Sequence, residues 1–176
     1  MKLKPRRAIA RALAVAIASG VAVPLAACSQ IVALEPAADA ASPACAAVSV
    51  RLPDRIAGVA GRETNAQATG AWGDPTSVVL HCGVPAPPPT SALPCVTPPG
   101  GAVDWLVEQS EEDELVYVVT SYGRAPAVSV AIDTRVISSL AVLDALDVAV
   151  SQLPQEGSCI GVEEAGLIAP GSVSEG

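Results

Sequence analysis

The chain has 176 residues, of which 51% are apolar, 16% charged and 2% aromatic, a balance that suits one folded domain and excludes disorder throughout. Its formal charge of −8 conceals a division: residues 1–27 hold five of the ten basic residues and no acidic one. From Cys28 onward five arginines face eighteen carboxylates, a net of −13 without a single lysine, so nothing there would neutralise phosphates and nucleic acid is excluded as a partner.

Lys2, Lys4, Arg6, Arg7 and Arg11 form a positive leader, and Ala12 to Ala27 is an uncharged apolar run interrupted by Gly20 and Pro24. A spanning helix needs about 20 apolar residues. This run of 16 falls short and ends in small residues, as a secretory cleavage site does. The terminal Leu25-Ala26-Ala27-Cys28 resembles the lipobox of bacterial lipoproteins. Residues 1–27 are therefore expected to be a lipoprotein signal peptide. Cys28 would be acylated and would hold the protein to the extracytoplasmic face of the cell membrane. An ordinary signal peptide and an uncleaved anchor are the competing readings. Arg6-Arg7 leaves general secretory and twin-arginine export both open.

Four further cysteines, Cys45, Cys82, Cys95 and Cys159, in an exported chain predict two disulfides, and spacing alone does not choose among three pairings. With no C-x-x-C pair and one histidine, neither a zinc site nor a dithiol redox role is expected.

In chain order, residues 28–42 are rich in alanine without periodicity and are expected to be a flexible tether spanning on the order of 20 Å. A domain over 43–159 follows. Ser42-Pro43 starts a short helix running to about Arg51 and stopped by Leu52-Pro53. Residues 54–76, with four glycines and Pro75, read as loop. Val78 to Val84 is a β-branched strand, followed by a proline-rich connection to Gly100-Gly101 that cannot lie inside a sheet. Residues 103–109, 115–120 and 127–133 read as a three-strand meander, its turns at the acidic stretch 111–114 and at Tyr122-Gly123-Arg124. Leu140, Leu143, Leu146, Val150 and Leu153 form the stripe of a helix over about 139–152, and 160–176 reads as a flexible tail. The expected class is α+β, with a small, mainly antiparallel sheet of about four strands flanked by two helices.

Five segments then occur in order: Leu52-Pro53-Asp54, Ala71-Trp72-Gly73-Asp74-Pro75, Cys82-Gly83-Val84-Pro85, Val103-Asp104-Trp105 and Tyr122-Gly123-Arg124. Over roughly Cys45 to Leu153 the chain resembles the actinobacterial family known as domain of unknown function 3515. That resemblance implies a secreted or lipid-anchored envelope protein and supplies no catalytic residues. His81 stands where the family often has arginine. The resemblance also implies the pairs Cys45–Cys82 and Cys95–Cys159, worth roughly 4 kcal/mol each on the chain-entropy estimate.

Candidate chemistry is sparse. His81 is the one possible imidazole base, yet it lies inside a predicted strand and no G-x-S-x-G elbow exists. Glu111-Glu112-Asp113-Glu114 with Glu108 lacks the spacing of a calcium loop and reads as a solvated hairpin tip. Asp104 and Glu108 read as exposed-face polarity rather than paired acids. Trp72, Asp74 and Trp105 are the candidate ligand-contact residues. The alternative for Trp72-Gly73-Asp74-Pro75 is a packed lid and a turn. No cofactor and no metal are expected, and catalysis is not. The leading expectation is a non-catalytic lipoprotein presenting a disulfide-stapled domain to an envelope protein partner. A small-solute or glycan-binding lipoprotein is the alternative, and an extracytoplasmic hydrolase would need Asp74, Asp104 or His81 to converge.

Overall fold

The computed structural model describes residues 31–90 and 92–160. The signal peptide, Cys28 and the tail beyond residue 160 lie outside the described residues. Helix α1 spans Pro43–Ser49, and strands follow as β1 Arg55–Ile56, β2 Val59–Arg62, β3 Thr69–Trp72, β4 Val78–Val84, β5 Cys95–Val96, β6 Asp104–Gln109, β7 Val116–Tyr122 and β8 Ala127–Asp133, before helix α2 Ser139–Val150. The strands form one antiparallel sheet in the order β1-β2-β3-β4-β8-β7-β6-β5.

This overturns the expected sheet of about four strands: the fold is mostly β, with eight strands and two helices among the described residues. The meander, β4 and both helices lie close to where their hydrophobic patterns put them. The missed strands are short. Residues 54–76 hold β1, β2 and β3, folded by turns that their glycines permit, and the proline-rich connection contributes two-residue β5 at the sheet edge, where a missing ladder donor is tolerated. Alternation cannot register in segments of two to four residues.

Directly opposed side chains share a face of the sheet. Trp72, Val78 and Ile132 form one cross-strand row and Leu80, Val130 and Val119 another, all buried. Against this face pack Cys45 and Val48 of α1 and Val142, Leu143, Leu146, Ala149 and Val150 of α2, in a single core with Trp105. Ser42 caps α1, its hydroxyl accepting from Ala44 N, with Pro43 in the first turn where no amide donor is needed.

The far end of α2 is fixed by Arg124, which is only 5% exposed. Its Nη1 donates to the carbonyls of Ser151 (3.2 Å) and Leu153 (2.7 Å), and its Nη2 to Ala102 O (2.7 Å). Asp147 on α2 completes the join, since its Oδ1 accepts from Ala102 N (2.7 Å) and Val103 N (3.1 Å). One cation thereby satisfies carbonyls left over at a helix C-terminus and ties them to the start of β6.

Both ends of the described chain, residues 31–42 and 151–160, fasten to the sheet. Val32 N donates to Glu63 O (2.9 Å), Leu34 N to Asn65 Oδ1 (2.7 Å) and Asp39 N to Gly83 O (2.9 Å). Residues 31–42, read above as tether, are thus fastened to the domain. Gly83 has a φ of 99°, and a Cβ there would fall 2.4 Å from Ala40 N, so the strap requires glycine. At the other end Glu156 N donates to Gly123 O (2.7 Å), and Cys159 closes on Cys95. The pairs Cys45–Cys82 (Cα–Cα 5.6 Å) and Cys95–Cys159 (5.9 Å) are the two that the resemblance implied.

Replacing Arg124 with alanine should lower the unfolding free energy by about 2–4 kcal/mol, because one buried and two partly buried carbonyls lose a donor. Urea denaturation of the oxidised protein measures this. Arg124→Lys should recover only part of the loss, since an ammonium cannot reproduce the guanidinium fork. A change below about 0.5 kcal/mol would show that α2 is held in place by packing alone.

Candidate functional site

The sequence candidates do not converge. Trp72, at the end of β3, is 2% exposed, and its Nε1 donates to Pro53 O (2.9 Å). Its ring lies so close over Gly70 that a Cβ there would meet it at 2.7 Å. Trp105 is fully buried, and its Nε1 has no hydrogen-bond partner among the described residues. Four strand spacings separate β3 from β6, so the tryptophans stand roughly 20 Å apart. They belong to the core and offer no shared stacking groove. Burial of the few large aromatics in a chain without phenylalanine explains the difference from the ligand-contact reading.

Asp104 accepts from Thr97 Oγ1 and, at 2.7 Å, from Cys159 N. It is a clasp that seats the second disulfide against β6. Glu108 lies four residues along the same strand, about 13 Å away, too far to share a reacting group. His81 is half-buried on the sheet face opposite the core, across from Thr69 and Ser129, and the Glu35 backbone accepts its hydrogen bond. It stands three strand spacings, about 14 Å, from β6 and Asp104. Burial, partly offset by that hydrogen bond, holds the imidazole below its ordinary pKa of 6.5.

The acidic hairpin is organised by its own backbone. Ser110 N donates to Val116 O and Leu115 N to Asp113 Oδ1, while Asp113 pairs with Arg135 at 2.8 Å. Arg135 also bonds Asp133 on β8, holding that carboxyl below the usual carboxylate range. Among the described residues no group of three His, Cys, Asp or Glu side chains is placed to hold a metal ion.

Two of the concavities among the described residues bear on function. A hollow of about 500 Å³ is lined by β2, the 73–77 turn, Asp133 and Val136. Asp74 stands at its mouth, 85% exposed, 3.3 Å from Arg62 Nη1. Arg62, 14% exposed at its side chain, also reaches Gly73 O (3.3 Å) and Thr76 Oγ1 (3.4 Å). Sequence reasoning missed Arg62, because its partners at 73–76 are brought to it only by the folded turn. The second is an apolar groove of about 310 Å³ between α2 and the edge of the sheet, walled by Val96, Pro98, Pro99, Val107, Leu140 and Leu143. Leu140 is 53% exposed, although it belongs to the apolar stripe of α2. The proline pair forms a wall of this groove.

Four of the five motif segments meet in two places. Leu52-Pro53-Asp54 folds over Trp72 and Gly61, with Gly61 N donating to Asp54 O (2.7 Å), and Val103-Asp104-Trp105 joins Gly123-Arg124 at the α2 clamp. Residues 8–157 match the family model described as "Protein of unknown function (DUF3515)". The chain belongs to that family. No curated protein and no solved structure matches it. Most side chains of these segments serve folding, while that of Asp74 projects into solvent beside a hollow.

Trp72→Ala should cost about 3–5 kcal/mol of stability, since it opens a cavity and orphans Pro53 O. Asp74→Asn should leave the urea midpoint unchanged. A stable Trp72→Ala protein would return Trp72 to the list of ligand contacts.

His81 gives a second expectation. Its neutral form is favoured in the folded state, so above pH 6.5 it contributes no pH dependence. As pH falls below 6.5, the unfolded chain binds the proton first and stability declines until the lowered folded-state pKa is passed. Melting curves between about pH 7.5 and 5.5 should therefore show a falling midpoint in the wild type. His81→Gln should flatten the profile in that window, and an identical slope in both proteins would refute the assignment.

Proposed function

We propose that this protein is a non-catalytic, lipid-anchored interaction module held at Cys28 on the extracytoplasmic face of the cell membrane of an actinobacterium. The observation that carries this reading is the division of the chain. A basic, apolar leader ends at Ala27-Cys28, and a cystine-braced domain of opposite charge follows at once. Among the described residues no helix is long and apolar enough to cross a membrane. A hydrolase would have to bring together Asp74, in the turn after β3, His81 on β4 and Asp104 on β6, which stand apart. The apolar groove beside Leu140 offers a surface on which a protein partner's side chains could lose contact with water.

The hollow at Arg62 and Asp74 favours a second reading, a small-solute site in which an exposed carboxylate and a partly buried guanidinium orient a polar ligand. Only Asp74 of the three sequence candidates stands at that hollow.

Mass spectrometry of protein extracted from native membranes tests the anchor. The expected amino terminus is Cys28 carrying acyl chains, and Cys28→Ser should move the protein out of the membrane fraction. An intact Met1, or an unmodified Cys28 sulfur, would overturn the assignment.

A further inference from the structure

The reading of Cys28 as the anchor raises the question of how far the domain stands from the lipid. Composition predicts a spacer running to Ser42. The structure fixes the backbone much earlier. Val32 bridges Thr64 in parallel, Val32 N donates to Glu63 O (2.9 Å), and Asn65 N donates to Val32 O (3.3 Å). Val32 lies four residues beyond Cys28. Four residues span at most about 14 Å even when fully extended. The headgroup layer takes roughly 5–8 Å of that. The remaining distance is comparable to the Debye length of about 8 Å at physiological salt, so charge on the nearest surface would be felt.

We infer that the edge formed by β1, β2 and residues 63–65 lies directly against anionic headgroups of the membrane that holds the acyl chains. Charge supports this orientation. Three of the five arginines after Cys28 stand in this region, Arg51, Arg55 and Arg62, against three carboxylates, Asp54, Glu63 and Asp74. Glu35, next to Leu34 whose amide reaches Asn65, adds a fourth carboxylate and leaves this edge near −1, while Asp39 lies farther along the strap at Gly83. Glu108, Glu111, Glu112, Asp113 and Glu114 are grouped at the β6–β7 hairpin, at least four strand spacings or about 19 Å across the sheet from β2. A domain of net −13 held this close to an anionic surface is repelled least with its near-neutral edge inward and that hairpin outward. Ile31, 57% exposed, adds an apolar side chain at the point of approach.

The inference rests on the lipid-anchor reading, and its test separates the two. The full-length protein would carry an environment-sensitive fluorescent amino acid at position 63 or at position 112, both exposed. Each form would be reconstituted into phosphatidylglycerol vesicles bearing a headgroup quencher. Quenching is expected at 63 and not at 112. It should be lost from 63 when about ten Gly-Ser residues are inserted between Gln30 and Ile31, and reduced by combining Arg51→Gln with Arg55→Gln. Equal emission at both positions, in protein that mass spectrometry shows to be acylated at Cys28, would overturn this orientation and leave the anchor standing. Protein with an unmodified Cys28 that stays in solution would overturn the anchor itself.

Discussion

Arg124 holds the arrangement of this domain together. A single antiparallel sheet has one face to bury, and here only two short helices are available to cover it. The longer, α2, runs free of its final carbonyl partners after Val150, as every helix does. Arg124 occupies that position, satisfying Ser151 and Leu153 while gripping Ala102, and Asp147 answers from the helix by taking the amides of Ala102 and Val103. With that end fixed, Leu146, Val150 and Leu153 stay under the sheet, and Trp105 stays sealed from water beside them.

The remaining cover comes from the chain ends. The amino-terminal strap passes His81, turns over Gly83 and enters α1, whose Cys45 is bonded to Cys82 in the middle of the core face. The carboxy-terminal strap leaves α2, passes Gly123 and is pinned to Asp104 and Cys95. A core built from valine and leucine with two tryptophans and no phenylalanine gains from such closure, because cross-links restrict the unfolded chain rather than enlarging the core. The consequence reaches function. With the strap tight at Val32, the anchor proposed at Cys28 would act as a short pin and govern orientation as well as location.

Legibility followed segment length. Seven-residue β4, β7 and β8 announce themselves by β-branched or alternating runs, and α2 by its stripe. Two-residue β1 and β5 and four-residue β2 and β3 carry no period that a sequence reading can detect, and their glycines and prolines imitate a loop. The site residues divided in the same way. Trp72 and Trp105 were visible as special because aromatics are rare here, but rarity does not say whether a ring is buried or offered to a ligand. Arg62 gave no local signal, and Arg124 showed only as part of a turn, since both act on groups farther along the chain.

By itself, then, the sequence determined what depends on composition and local pattern. It set the charge boundary at Cys28, a basic and apolar leader before it, the long strands, α1 and α2, and the four cysteines that make two cystines. Tertiary structure alone decided which short glycine-rich pieces become strands, where the two tryptophans point, and that residues from Val32 onward belong to the domain. Those outcomes rest on hydrogen bonds between residues tens of positions apart, such as Val32 with Glu63, Asp104 with Cys159 and Arg124 with Leu153. Such bonds form only once the hydrophobic face has brought their partners together, so no local window of the chain contains them.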